Sequence, residues 1–160
     1  MEFTTADLCD GYPELVQVAH PEFREYGGLA KFSGPIETLS VFEDNAWVRQ
    51  ILETDGAGRV LVIDGGGSRR CALVGGRLAM VAYENGWTGL LINGAVRDTA
   101  ELNQIPIGIR ALNSAPLRSS KAGAGRQGGP LTFAGVAFVP GSFLYADSDG
   151  IVVAERNLLA

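Results

Sequence analysis

Two short aliphatic runs constrain the fold of this chain more than any other feature. In Val60-Leu61-Val62-Ile63 and Leu90-Leu91-Ile92 every position is apolar, which suits a strand buried on both faces or a buried helix. Their shortness and the glycines around them select the strand. The first runs from Arg59 to Asp64 and stops at Gly65-Gly66-Gly67, and the second runs from Gly89 to Asn93 and stops at Gly94. Between them, Gly76 to Asn85 carries Leu78, Ala79, Val81 and Ala82 on one helical face and ends at Gly86. Strand, helix and strand in that order make a β-α-β unit, with parallel strands and a right-handed crossover. The expected class is therefore α/β. Sites in such sheets form beyond the carboxyl ends of the strands, so residues after Asp64 and after Asn93 are expected to meet.

The remaining elements are short, because 22 glycines punctuate the hydrophobic runs instead of gathering in one tract. Thr4-Thr5-Ala6-Asp7 has the form of a capping box opening a helix that Pro13 limits. Pro35 to Phe42 is expected as a strand, and Asp44 to Thr54 as an amphipathic helix stopped by Gly56 and Gly58. Beyond Asp98 the reading is a short helix to about Gln104, a strand over Ile107–Leu112, and an extended stretch to Lys121. A glycine-rich loop over 122–129 follows, then strands over Leu131–Val139 and Ile151–Ala154, with Tyr145 to Gly150 as a turn. With 160 residues, 46% of them hydrophobic, and no long linker, residues 1–160 read as one domain.

Charge and composition exclude several functions. Eighteen acidic against thirteen basic residues give a net charge of -5, which disfavours direct binding of RNA or DNA. Cys9 and Cys71 are too far apart for a C-x-x-C motif, and both read as buried, reduced thiols. The single histidine, His20, cannot form a histidine-rich metal site and reads as surface or packing. No apolar run is long enough to cross a membrane, and the first residues lack the pattern of a signal peptide, so the expected location is cytoplasmic.

Chemistry concentrates in two segments, Gly75-Gly76-Arg77-Leu78 and Gly94-Ala95-Val96-Arg97-Asp98. Glycines opening a helix leave backbone N–H groups free of side-chain obstruction, which suits a carboxylate or phosphate. Arg97 adds a planar fork that grips a carboxylate at two points, and Asp98 can hold a hard divalent cation such as Mg²⁺ that keeps most of its waters. The same residues also suit a plain helix start and a surface Arg–Asp ion pair. Gly65-Gly66-Gly67-Ser68 matches neither G-x-G-x-x-G nor a Walker loop and is expected to line the same cleft. Asp147-x-Asp149-Gly150 has part of a calcium loop but lacks its other ligands, so it reads as a tight turn. Glu43-Asp44-Asn45 is accounted for by helix capping, and Arg69-Arg70 could attract an anion or simply face solvent.

Five stretches carry a family resemblance: Val41 to Asn45, Val60 to Ser68, Ala72 to Gly76, Asn93 to Asp98, and Leu144 to Gly150. They resemble the RraA-like family, which contains proteins named regulator of ribonuclease E activity and divalent-metal-dependent 4-hydroxy-4-methyl-2-oxoglutarate aldolases. The resemblance implies a swivelling β/β/α domain around the central β-α-β unit, assembled as a ring-shaped homotrimer with sites near subunit interfaces. It implies that Gly75, Gly76, Arg77, Leu78 and Arg97 hold substrate, that Asp98 holds Mg²⁺ or Mn²⁺, and that Arg97 and Asp98 are catalytic. The implied reaction is class II aldol cleavage of 4-hydroxy-4-methyl-2-oxoglutarate to two pyruvates, with Arg97 stabilising the enolate. Oxaloacetate decarboxylation shares that pyruvate enolate. No side-chain base stands out, so a metal-linked water could accept the 4-hydroxyl proton. Family aldolases often carry an acidic residue in the helix-start segment, where this chain reads Gly75-Gly76-Arg77.

Two alternatives come from other classes. One is a non-catalytic inhibitor of ribonuclease E, whose acidic surface would pair with an arginine-rich partner. The other is a methyltransferase acting on a menaquinone precursor, a label some relatives have borne, for which no adenosylmethionine loop is visible. Asp98 separates lyase from regulator, because a regulator needs no metal-holding carboxylate beside Arg97.

Overall fold

The computed structural model describes residues 2–160. In chain order its elements are α1 (Thr5–Gly11), β1 (Val16–Val18), β2 (Arg24–Glu25), β3 (Phe32–Ser40), α2 (Ala46–Leu52), β4 (Val60–Asp64), β5 (Ala72–Val74) and α3 (Gly76–Glu84). They continue with β6 (Gly89–Val96), α4 (Thr99–Leu102), β7 (Gly108–Ser114), β8 (Arg126–Gln127), β9 (Leu131–Phe133), β10 (Val136–Phe138), β11 (Phe143–Asp147) and β12 (Gly150–Ala154). The β-α-β unit is present: β4 and β6 pair in parallel, with Val60 opposite Gly89 and Asp64 opposite Asn93.

That pair sits at the centre of a large sheet ordered β1-β12-β11-β3-β4-β6-β7-β2. β3, β4, β6 and β7 are parallel, and the outer strands are antiparallel. The aliphatic runs are explained by what covers each face. Leu61, Ile63, Leu90 and Ile92 face Val48, Ile51 and Leu52 of α2 and Leu78, Ala79 and Ala82 of α3. Val60, Val62 and Leu91 face a second core built from β9 to β12, including Phe138, Leu144 and Val153. Side chains buried this way stabilise the fold by about 1.5–3 kcal/mol each. The result is two strand layers and one helix layer, the β/β/α arrangement.

Several expected boundaries differ. Leu131–Val139 is not one strand but the hairpin β9–β10, because Ala134 (φ 51°) and Gly135 (φ 74°) both lie in the left-handed region that a tight hairpin turn requires. Tyr145 and Ala146 are not in a turn: they belong to β11, which leaves only Ser148 and Asp149 between it and β12. β3 begins at Phe32 and ends at Ser40, earlier than expected at both ends, and α2 is confined to Ala46–Leu52. β1, β2, β5 and β8 were not anticipated, since strands of two or three residues leave no periodicity to detect.

β5 matters most for function. It pairs in parallel with Ala95 and Val96 of β6, beyond Asn93, where the pairing of β6 with β4 stops. The chain therefore leaves the sheet after Asp64, returns as β5 along the same edge of β6, and enters α3 at the carboxyl end of the sheet.

The N-terminal helix is held at its start by two side chains. Thr4 caps it, its side chain accepting from the Asp7 N–H at 3.0 Å, a bond worth about 1 kcal/mol. Buried Asp147 accepts from the Thr5 N–H at 2.7 Å and the Thr5 hydroxyl at 2.6 Å. Burial works to raise the Asp147 carboxyl, but these bonds and the N–H groups of Asp149 and Gly150 outweigh it and hold the group below its ordinary value. A depressed folded-state value gives stability that is present above the unfolded value, about 3.9, and lost as pH falls through the folded one. Thermal melts should accordingly show a falling Tm below about pH 4. Asp147→Asn should flatten part of that acid limb while costing about 1–3 kcal/mol at neutral pH. An acid limb unchanged in the variant would show that other groups produce it.

Candidate active site

Beyond the carboxyl ends of the parallel strands, where β5, α3, the β6–α4 turn and α2 converge, lies a cavity of about 1000 Å³. Gly75, Gly76, Arg77, Leu78, Arg97 and Asp98 all line it, so the structure brings the six predicted residues together. The groups after Asp64 and Asn93 also meet, with the Asn93 side-chain amide donating to Asp64 at 3.0 Å and the Gly65 N–H to the Asn93 carbonyl at 3.1 Å.

The triglycine loop, however, does not line the cavity. Gly66 lies under the Phe42 ring, and Ser68 and Arg70 both donate to Glu43, Arg70 through two bonds of 2.6 Å. Those bonds, Arg70 first and Ser68 next, pull the Glu43 carboxyl down to about 2. Arg70 is thus spent on Glu43 and is not a free anion attractor. His20 is exposed and packs beside Gly135. Cys71 is buried, which pushes its thiol up, while Cys9 is only partly covered.

Local geometry sets the chemistry of the six residues. Asp98 has φ 61° and ψ 46°, a left-handed conformation uncommon for a residue with a side chain but tolerated by Asp and Asn. That twist turns its carboxylate back toward α3, where Oδ2 accepts the Gly76 N–H at 2.9 Å. Asp98 therefore caps α3 from outside the helix, and the Gly76 amide is not available to a ligand. The N–H groups of Arg77 and Leu78 have no acceptor among the described residues, and they remain the open donors of the helix start. Gly75 is required by close approach, since a methyl there would come within 2.7 Å of Asp98 Oδ2 and 3.2 Å of Arg97 Cγ.

The surface ion pair between Arg97 and Asp98 does not form. The Arg97 backbone N–H donates to Val74, its guanidinium reaches the Pro116 carbonyl at 3.4 Å, and its side chain is half-buried at the cavity wall. Several lining groups escaped sequence reasoning. Glu101 of α4 stands over Gly76, so closely that a methyl on Gly76 would overlap its carboxylate. An acidic group thus reaches the helix start from 25 residues away. The Asn45 side-chain amide donates to the Leu73 carbonyl at 3.2 Å, and Arg49, Arg118 and Lys121 add positive charge. Only their spatial convergence identifies them.

The carboxylates present constrain what cation fits. Among the described residues no group of three His, Cys, Asp or Glu side chains is placed to enclose a metal. Asp98 is exposed, and one of its oxygens is engaged by Gly76, leaving the other open. One open carboxylate oxygen fits an ion that keeps most of its waters, as Mg²⁺ does, and does not fit a dehydrated metal caged by protein.

Known proteins resemble this chain in sequence and fold. The RraA-like family model, described as Aldolase/RraA, matches residues 5–153. A protein of Aromatoleum aromaticum named "Putative 4-hydroxy-4-methyl-2-oxoglutarate aldolase" is 52% identical, over 99% of this chain and 100% of its own. Among solved structures, the S-adenosylmethionine: 2-dimethylmenaquinone methyltransferase of Geobacillus kaustophilus superimposes with a TM-score of 0.96 at 50% identity, covering 98% of both chains. The RNA-processing inhibitor RraA from Thermus thermophilis gives 0.94 at 51% identity, covering 98% of this chain and 94% of that one. On the family match over residues 5–153, relatives at half identity and the shared β/β/α architecture, this chain belongs to the RraA-like family.

Proposed function

We infer that the protein is a divalent-metal-dependent carbon–carbon lyase that cleaves 4-hydroxy-4-methyl-2-oxoglutarate to two pyruvates and decarboxylates oxaloacetate as a second activity. Relatives near 50% identity carry three different functional names, so the names do not choose among themselves. The observation that carries the reading is the cavity. Open helix-start amides, an arginine fork and a carboxylate with one free oxygen face a single space.

Each residue then has a task. The N–H groups of Arg77 and Leu78 bind the carboxylate of the 2-oxo acid. Arg97 holds the neighbouring carbonyl oxygen and stabilises the negative charge that develops there as the bond between C3 and C4 breaks. Asp98 would hold hydrated Mg²⁺ or Mn²⁺, which when bound supplies Lewis-acid polarisation of the 2-oxo group. Glu101 provides a side-chain acceptor at the helix start for the 4-hydroxyl proton, so that C4 becomes the carbonyl carbon of one pyruvate while the other leaves as its enolate. In oxaloacetate the same bond electrons come from loss of CO₂.

Metal-dependent turnover is the direct test. The purified protein should cleave both acids with Mg²⁺ or Mn²⁺, above the rate of the free metal, and chelator should abolish turnover. Light scattering on the same sample should return the homotrimer that belongs to this reading. Turnover no faster than free metal would overturn it.

One observation favours a second reading, a protein-binding inhibitor of ribonuclease E: the likeness to the Thermus inhibitor, together with a net charge of -5. It leaves the cationic cavity without a role. Binding to ribonuclease E without lyase turnover would select it.

A further inference from the structure

At one end of the large sheet, β1 is an open edge. It pairs with β12 alone, with Val16 opposite Ala154 and Val18 opposite Val152. The Ala19 N–H donates to the Ile151 carbonyl at 3.0 Å, and bonds across an antiparallel pair fall on alternate residues. Val16 and Val18 therefore direct their N–H and C=O groups away from β12. The Val16 N–H turns back to the Tyr12 carbonyl at 3.3 Å, while the Val18 N–H and the carbonyls of Val16 and Val18 have no partner among the described residues. Lysine, proline and a bulge, which commonly protect such an edge, are absent from Leu15-Val16-Gln17-Val18.

Three residues of edge supply few bonds, but a groove of about 630 Å³ lies beside them. Leu15 and Gln17 share one face of β1 with Val153, which stands opposite Gln17. Leu15, Val139 and Val153 give the groove its apolar lining, and Glu14 and Glu155 give it carboxylates. Leu15, Val18 and Val139 are 46%, 56% and 41% exposed. A strand added to β1 would send every second side chain onto this groove and the others onto the face of Val16, where α1 packs.

Charge decides what kind of strand fits. Glu2, Asp7, Asp10, Glu14 and Glu22 all precede the first lysine or arginine of the chain, Arg24. Among the described residues only Glu2 of these five has an ion-pair partner. The turn at Tyr12, whose carbonyl accepts the N–H groups of Leu15 and Val16, ties α1 and its carboxylates to β1. A second copy of the chain paired through β1 would bring two such acidic segments together, at a cost in repulsion. A basic strand would neutralise them.

We propose that the β1 edge is a docking site for an extended segment of another protein that alternates aliphatic and basic residues. The segment adds to the sheet as a further strand, with aliphatic side chains in the groove and basic ones among the surrounding carboxylates. The groove and the cavity share no lining residue, so this inference goes beyond the lyase reading and does not rest on it.

Fluorescence anisotropy with a labelled seven-residue peptide of alternating arginine and valine, blocked at both ends, tests this. The native protein should bind it with a Kd below about 100 μM, and the same peptide with glutamate in place of arginine should bind at least about tenfold more weakly. Two further peptides carry N-methyl groups on all valines or on all arginines. Successive N–H groups of a strand point to opposite edges, so one of the two should lose affinity by about tenfold or more and the other by less than about threefold. Val18→Pro removes the one free N–H of the edge without touching the bonds to β12, and the folded variant should bind at least about tenfold more weakly with lyase turnover unchanged. Exposed Glu14 and Glu155 allow the charge to be reversed without loss of fold, and Glu14→Lys, Glu155→Lys should weaken binding by a similar factor. A native Kd above about 100 μM, equal binding of the glutamate peptide, both methylated peptides weakened alike or neither weakened, or affinity retained by folded Val18→Pro or by the charge-reversed protein would each overturn the proposal. A molar mass in light scattering that falls in Val18→Pro would assign the edge to a second copy instead. Lyase turnover without peptide binding loses only the docking site, and peptide binding without turnover loses only the lyase reading.

Discussion

Replacing Asp98 with asparagine should abolish metal-dependent cleavage of oxaloacetate while leaving the fold in place. The choice of asparagine follows from the geometry. Asp98 sits at φ 61° and caps α3 through Oδ2, so alanine would confound two effects with the chemistry. It would forfeit a cap worth about 1 kcal/mol, and it would place a β-carbon without polar compensation in the left-handed region, at about 1–2 kcal/mol more. Asparagine tolerates that backbone and keeps an acceptor for the Gly76 N–H, but it loses the negative charge that would hold a hydrated cation. If Asp98 anchors the metal, kcat should fall by at least about 100-fold, to the rate of free Mg²⁺, with Tm nearly unchanged. Full activity of Asp98→Asn above the free-metal rate would place the metal elsewhere and remove the mechanism.

Arg97 should show a different pattern. Arg97→Ala removes both the contact with bound substrate and the stabilisation of charge developing in the transition state. KM for oxaloacetate should therefore rise and kcat should fall, the latter by about 100- to 1000-fold, as for loss of a donor to a developing oxyanion. Arg97→Lys should recover little, because an ammonium keeps the charge but not the planar fork that spans two oxygens. Steady-state kinetics on both variants check this. A change confined to KM, with kcat intact, would mean that Arg97 binds substrate without assisting the chemistry. A lysine variant with native turnover would mean that charge alone suffices.

Legibility differed between parts of the chain for physical reasons. Where one element is long enough to show its period, the local sequence decides its conformation: the aliphatic strand β4, the amphipathic α3 and the Thr4 cap appear as read, and β6 does so from Gly89 but continues through the expected stop at Gly94 to Val96. Where an element has two or three residues, its existence depends on partners. β5 is a strand only because Ala95 and Val96 extend beyond β4 and pair with it. The hairpin β9–β10 was hidden because its turn residues, Ala134 and Gly135, carry a positive-φ signal that an alanine disguises.

The candidate site divides in the same way. Gly75, Gly76, Arg77, Leu78, Arg97 and Asp98 could be named in advance, because a glycine-opened helix after a buried strand and an Arg-Asp pair after a parallel one lie at the carboxyl edge of any such sheet. The triglycine loop was placed at that edge by the same logic and lies outside the cavity, since Phe42 and the Glu43–Arg70 pair hold it elsewhere. Glu101, Asn45, Arg118 and Lys121 carry no motif. They reach the cavity from a four-residue helix, from the residue that starts α2 and from residues 118–121, which have no periodicity of their own.

Local pattern was enough for the β-α-β centre, the helix start that offers backbone amides, and the arginine and aspartate that face it, because each depends on contacts between near neighbours or on one buried strand pair. The turn of Asp98 back to cap α3, the loss of the Gly76 amide to that cap, and the bonds from Ser120, Gly123 and Ala124 to buried Asp44 come from the completed fold alone. Those arrangements rest on hydrogen bonds between residues 22 to 80 positions apart. A buried carboxylate takes whichever donors the completed fold brings within reach, and no local pattern records which they will be.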